Sequence, residues 1–261
     1  MSDYDRNVAA RYGSVTRSEA AIDQGLRSYM LRVYNYMTLG LAITGAAAIG
    51  IFMLSVTKDP AQAVATLRNG AMLTQFGATL FASPLQYVVM FAPLAAVLFL
   101  SFRVDRMSVS AAQGLFWVYA GLVGVSLSTI FMAYTGESIM RVFFMTAATF
   151  GALSLWGYTT KRDLSAMGTF LFMGLIGILI ASLVNMFIGS SMLQWIVSVV
   201  GVVVFAGLTA YDTQRIKEMY FEGDGEVVAG RKAIMGALTL YLDFINLFVM
   251  LLQLFGNRNS N

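Results

Sequence analysis

Runs of apolar residues about twenty long recur along the chain, mostly free of formal charge and separated by short polar stretches. A window of about 19 residues places spans near 33–56, 85–102, 110–133, 142–159, 166–189, 193–212 and 234–255. Each is long enough to cross a hydrocarbon core of about 30 Å at about 1.5 Å per residue. The pattern predicts an all-α integral membrane protein, a seven-transmembrane-helix bundle over 31–256. Residues 1–30 are polar, mixed in charge and without the apolar stretch of a cleavable signal, so they read as a retained cytoplasmic tail. Residues 257–261 read as a short C-terminal tail.

Composition agrees with a bilayer as the solvent: 58% of the 261 residues are hydrophobic and 12% charged, with a mean hydropathy of +0.70. The isoelectric point near 9.2 raises nucleic acid as a partner, but the basic residues are dispersed through loops instead of gathered on one soluble face. Orientation explains them better. The tail to Arg32, Arg103 and Arg106, Lys161 and Arg162, and Arg215, Lys217, Arg231 and Lys232 together carry thirteen of the 17 Lys and Arg. Lys58, Arg68, Arg141 and Arg258, the remaining four, fall on the other side. That bias puts the N-terminus in the cytoplasm and, with seven crossings, the C-terminus outside. A re-entrant seventh segment would move only Arg258, so the charge count leaves that alternative open. There is no cysteine and no histidine, which removes thiol chemistry, the commonest metal ligand and the ordinary near-neutral proton switch. Any response to pH must come from carboxylates.

Two loops carry some pattern. In the outer segment 57–84, Asp59-Pro60 followed by AQAVATLRN can cap and start a short surface helix, or serve as a plain connector. The loop QRIKEMYFEGDGEVVAGRK holds Glu218, Glu222, Asp224 and Glu226 but lacks the alternating ligand spacing of a calcium-binding EF-hand loop, and reads as a solvated turn.

The chemistry-bearing feature is a pair of acids in the last two apolar segments, Asp212 in VVGVVVFAGLTAYD and Asp243 in AIMGALTLYLDFINLFVMLLQLF. Ionisable residues in hydrocarbon are costly, and by default they mark a site. Thr239, Asp243, Asn246 and Gln253 share one face of the seventh helix; Ser198, Thr209 and Asp212 form a similar stripe on the sixth. Such stripes point into a bundle. Tyr211 and Tyr241 flank the acids as hydrogen-bond donors. Counted from Leu193, Asp212 lies about 30 Å in, whereas Asp243 lies about 13 Å from a helix starting at Ile234, so the heights disagree. Tilt, a sixth helix prolonged into TQRIK, or a seventh helix starting below the membrane surface would reconcile them. Close together, two desolvated carboxylates cannot both ionise cheaply and would hold one proton between them. A cation would compete for the same oxygens, which suit calcium, bound transiently at Asp212 and Asp243, better than soft metals. Arg103, ending the second span, can pair with an acid or act as a cytoplasmic anchor.

The segments GLTAYDTQRI and, about thirty residues on, ALTLYLDFINLFVMLLQLFG resemble the signature of the transmembrane Bax inhibitor motif family, the Bax inhibitor-1-like proteins, over positions 27–256. The resemblance, to a bacterial member of the inner membrane, implies a seven-helix bundle with the seventh helix central. It implies a pH-sensitive calcium leak with Asp212 and Asp243 as the proton- and ion-sensing pair and Arg103 as the gating latch; the polar stripes add Thr209, Thr239, Asn246 and Gln253 as pore-lining or supporting groups. FRVDR interrupts the basic run of the latch with Asp105, so the match at Arg103 rests on position. Bacterial members are also connected with restraint of membrane-bound proteolysis, so a non-transporting regulator that binds a membrane protease or another membrane protein is the alternative. An enzyme is not expected. An intramembrane aspartyl protease is the remote alternative, disfavoured because it needs Gly-x-Gly-Asp at its second acid, where this chain has LYLD; the absence of histidine and of intramembrane lysine removes rhomboid and retinal chemistry. No cofactor is expected; calcium is the expected permeant ion, with protons and the lipid bilayer as partners.

Overall fold

A computed structural model describes residues 3–67 and 70–259, with the side chains of residues 3–22 outside that description. Arg68, counted above on the outer side, lies outside it too. The described residues form eight α-helices: α1 (Asp3–Ser55), α2 (Gln75–Phe81), α3 (Leu85–Arg103), α4 (Val109–Ala133), α5 (Gly136–Thr159), α6 (Ser165–Ile188), α7 (Ser191–Glu218) and α8 (Glu226–Phe255). All but α2 are long and apolar enough to cross a membrane. The helical backbone of α1 runs through the tail boundary read at residue 30.

Local chemistry sets the breaks. Ser108, Thr135 and Ser190 each accept a hydrogen bond from the backbone N–H three residues on, capping α4, α5 and α7. Asp163 accepts from Ser165 N at 2.8 Å before α6, and hydrogen bonding from the Ser165 side chain, with this backbone bond, holds its exposed carboxyl below the ordinary range. Gly189 ends α6 in the left-handed region at φ 67, open to glycine at no steric cost. In segment 57–84 neither sequence reading suffices. Asp59 caps a single 3-10 turn, Pro60–Gln62, and the pairs Val56–Thr57, Ala65–Thr66 and Met72–Leu73 form a three-stranded antiparallel sheet with Met72–Leu73 in the middle. Strands of two residues are too short to show alternation.

α8 packs against α1, α4, α5 and α7, and 61% of its most apolar stretch is buried against 39% or less in every other span. α3 lies at the opposite extreme and turns most of its surface outward. Close helix approach depends on glycine at two contacts. A Cβ on Gly124 of α4 would meet the carbonyl oxygen of Thr44 and the Ala47 methyl of α1, and one on Gly157 of α5 would overlap the Ala210 carbonyl of α7. Beyond α8 the chain stays attached: Asn257 N donates to Ser138 Oγ at 2.8 Å and Asn259 N to the Ala133 carbonyl at 2.9 Å, on the α4–α5 turn.

Tyr241 joins three helices. Its fully buried ring stands edge-on to Phe116 and Tyr119 at 5.7 and 5.6 Å, and its hydroxyl is 2.6 Å from Thr44 Oγ1, which also reaches the Gly40 and Ala120 carbonyls. Tyr241 therefore serves α1, not the neighbouring acid. Tyr241→Phe leaves the ring packing and removes one buried bond, so the thermal midpoint in detergent should fall by the equivalent of about 1 kcal/mol. An unchanged midpoint would show the bond contributes nothing.

Candidate functional site

The height conflict between the two acids is removed by helix ends that hydropathy alone sets too short. α7 continues past Asp212 to Glu218, and α8 begins at Glu226, two turns before the apolar run. Gly236 lies against the Ile216 side chain where the two helices cross. From that level Asp212 is about 6 Å along one helix and Asp243 about 10 Å along the other. The carboxyl groups come within hydrogen-bonding contact of each other. Asp243 is 5% exposed, and its Oδ2 has no hydrogen-bond donor among the described residues. An ionised carboxylate only accepts, so a hydrogen bond between the two exists only when one carries a proton.

Both acids line a cavity of about 470 Å³ between α6, α7 and α8. Thr239 and Asn246 line it with them, as do Tyr211 and Arg215. Arg215, one turn beyond Asp212, is the cation whose charge acts on that carboxyl. Sequence reasoning placed it among loop charges that set orientation, and only the prolonged α7 puts it at the site.

Other expected members lie elsewhere. Arg103 is exposed at the end of α3, its guanidinium 5.9 Å from the Phe99 ring centroid, and it does not line the cavity because α3 packs on α4 instead of α7 or α8. Thr209 is buried outside the cavity and donates to the Phe205 carbonyl at 2.8 Å. Gln253 accepts from Ser198 Oγ at 2.7 Å, nearer the other end of α8. The stripe read on α7 thus divides among three surroundings. Another polar line had no signal in the sequence: Tyr34, Ser154 and Thr213 link α1, α5 and α7 at 2.6 and 2.9 Å. Hydroxyls in apolar helices normally bond to their own backbone, so their reach across helices is not legible.

In the acidic turn, Asp224 pairs with Lys232 at 2.5 Å. Among the described residues no three or more Asp and Glu gather to hold a metal. A cation at the Asp212–Asp243 pair would have only their oxygens, neighbouring neutral groups and water.

Seven helices long and apolar enough to cross a membrane, with a carboxyl pair enclosed between the last of them, define a multi-pass helical membrane protein. The family described as inhibitor of apoptosis-promoting Bax1 matches residues 26–260; the chain belongs to this family, the Bax inhibitor-1-like proteins. It is 45% identical to the inner membrane protein YbhL of Escherichia coli, over 90% of this chain and 93% of that one. It is 46% identical over the whole of both chains to an uncharacterized protein of Rickettsia prowazekii. With an uncharacterized membrane protein of Streptococcus pyogenes it shares 35% identity over 91% of this chain and 96% of the other.

Proposed function

We propose that this protein is a pH-gated calcium leak of the bacterial inner membrane, with the N-terminus in the cytoplasm and the C-terminus outside. The observation that carries this reading is the contact of Asp212 with Asp243 in one cavity, one oxygen buried without a donor. Such a pair takes up a proton or a cation, and the two compete for the same oxygens. Two carboxylates are few ligands for calcium, which takes six to eight oxygens; water must supply most of the rest, and weak holding suits passage better than storage. Thr239 and Asn246 add neutral polar groups to the same wall.

Arg215 is assigned the role of the cation that competes at the mouth of the cavity. Arg215→Gln should displace the midpoint of the flux–pH profile, while Arg103→Gln leaves it in place. The reverse result would restore the latch to Arg103.

Calcium entry into liposomes holding the purified protein, followed from about pH 6 to about pH 8, tests the assignment. A flux that changes across this range and loses the change in Asp212→Asn supports it. Folded protein that passes no calcium at any pH would overturn it in favour of a regulator of a membrane protease or another membrane partner.

A further inference from the structure

The cavity of the acidic pair has a counterpart. A second cavity, of about 320 Å³, lies between the same three helices toward their other end, lined by Ser182 and Asn185 of α6, Gln194 and Val197 of α7, and Met250 and Gln253 of α8. Its polar groups are neutral amides and hydroxyls, whereas the first cavity holds Asp212, Asp243 and Arg215. Along α8 the first cavity ends at Asn246 and the second begins at Met250, one turn or about 6 Å further on. Along α6 the gap from Leu175 to Ser182 is about 10 Å, and Ile178, between them, is buried.

Within that interval one side chain of α8 rests on the bare backbone of α7. A Cβ on Gly201 of α7 would stand 2.8 Å from Met250 Sδ and 2.9 Å from its Cγ, so the thioether occupies the space a side chain at 201 would need. Met250 also completes the face of α8 on which the site is built. Thr239, Asp243, Asn246, Met250 and Gln253 follow one another at spacings of four, three, four and three, so they share one side of the helix. All are polar but one, and the exception sits where the cavities fail to meet.

We propose that the two cavities are the vestibules of a single conduit between α6, α7 and α8, and that the Met250 side chain lying on Gly201 is its gate. The inference rests on the leak reading for the ion that passes. An apolar constriction one turn thick excludes water and with it any hydrated ion. Methionine is unbranched and rotates about three bonds, so it clears such a gap more readily than a β-branched side chain. The neutral vestibule keeps an ion hydrated at one end, and the carboxyl pair receives it at the other. Asp243 lies two turns from Met250 on the same face, so movement of α8 that separates the acids also lifts the thioether from Gly201.

The chain has no cysteine, which allows a test by thiol labelling. Asn246→Cys and Ser182→Cys, each in the full-length protein in vesicles of both orientations, are exposed to a membrane-impermeant cationic methanethiosulfonate. In an otherwise unchanged chain Asn246→Cys should react only from the side of the α7–α8 turn and Ser182→Cys only from the opposite side. Added Met250→Gln, close in volume but hydrated, should raise labelling from each forbidden side about tenfold or more; Met250→Leu, which keeps the seam apolar, should retain the original sidedness and reports that the fold tolerates change at this position. Two thiols that react from the same side, or sidedness indifferent to Met250→Gln in folded protein, would overturn the conduit. Labelling that follows Met250 in a protein that passes no calcium keeps the conduit and removes the leak; pH-gated calcium flux untouched by Met250→Gln does the reverse.

Discussion

Asp243→Asn should abolish the pH dependence of calcium flux while leaving the protein folded: the ratio of rates at about pH 6 and about pH 8 should fall to about one. The substitution keeps shape and one acceptor oxygen, and adds an N–H₂ that can donate to Asp212 without a titratable proton. It relieves Asp243 Oδ2, buried without a donor, so the thermal midpoint should hold or rise, as when a buried ionic group gives way to a neutral one. Asp212→Asn should flatten the profile equally, since either partner alone cannot share a proton. A purely architectural pair predicts the opposite combination: a lower midpoint with the flux profile unaltered. Measuring both quantities on the same variants separates the two.

Gly157→Val should produce the largest loss of stability. The added side chain meets the backbone carbonyl of Ala210, which cannot rotate away as a side-chain end would, so α5 and α7 must separate and their Ser154–Thr213 bond with them. Overpacking in a core costs about 1–3 kcal/mol, and a clash with backbone belongs at the upper end. Poor yield and a lower thermal midpoint in detergent are expected. Gly151→Ala, on the same helix but with open space around its Cβ position, serves as the control and should match or exceed the parent. Equal behaviour of the two variants would show that α5 and α7 can shift apart without cost.

The seven crossings were legible because hydropathy responds to length and composition, and both are pronounced here. The same property hid the helix ends near the site. Arg215, Lys217, Arg231 and Lys232 lower the local average, yet α7 and α8 remain helical through them. Charge ends an apolar run without ending a helix, and that difference produced the apparent mismatch in depth between Asp212 and Asp243. The acids themselves stood out because a carboxylate amid Leu, Val and Phe has no ordinary explanation. Asn246 and Thr239 followed from helical spacing and line the cavity; Gln253 has the same spacing but sits further along the helix, a distance that angular position does not register. Arg103 was matched by its place at the end of a span, and the lateral packing of α3 was not available from spacing.

The attachment of Asn257 and Asn259 to the α4–α5 turn has a consequence for biogenesis. The acceptors on that turn leave the ribosome more than a hundred residues before their donors exist. One end of the bundle therefore stays unlatched while α6, α7 and α8 are made, and closes only once residues 257–259 have emerged. A truncation after Phe255 would insert every crossing yet leave that end permanently ajar.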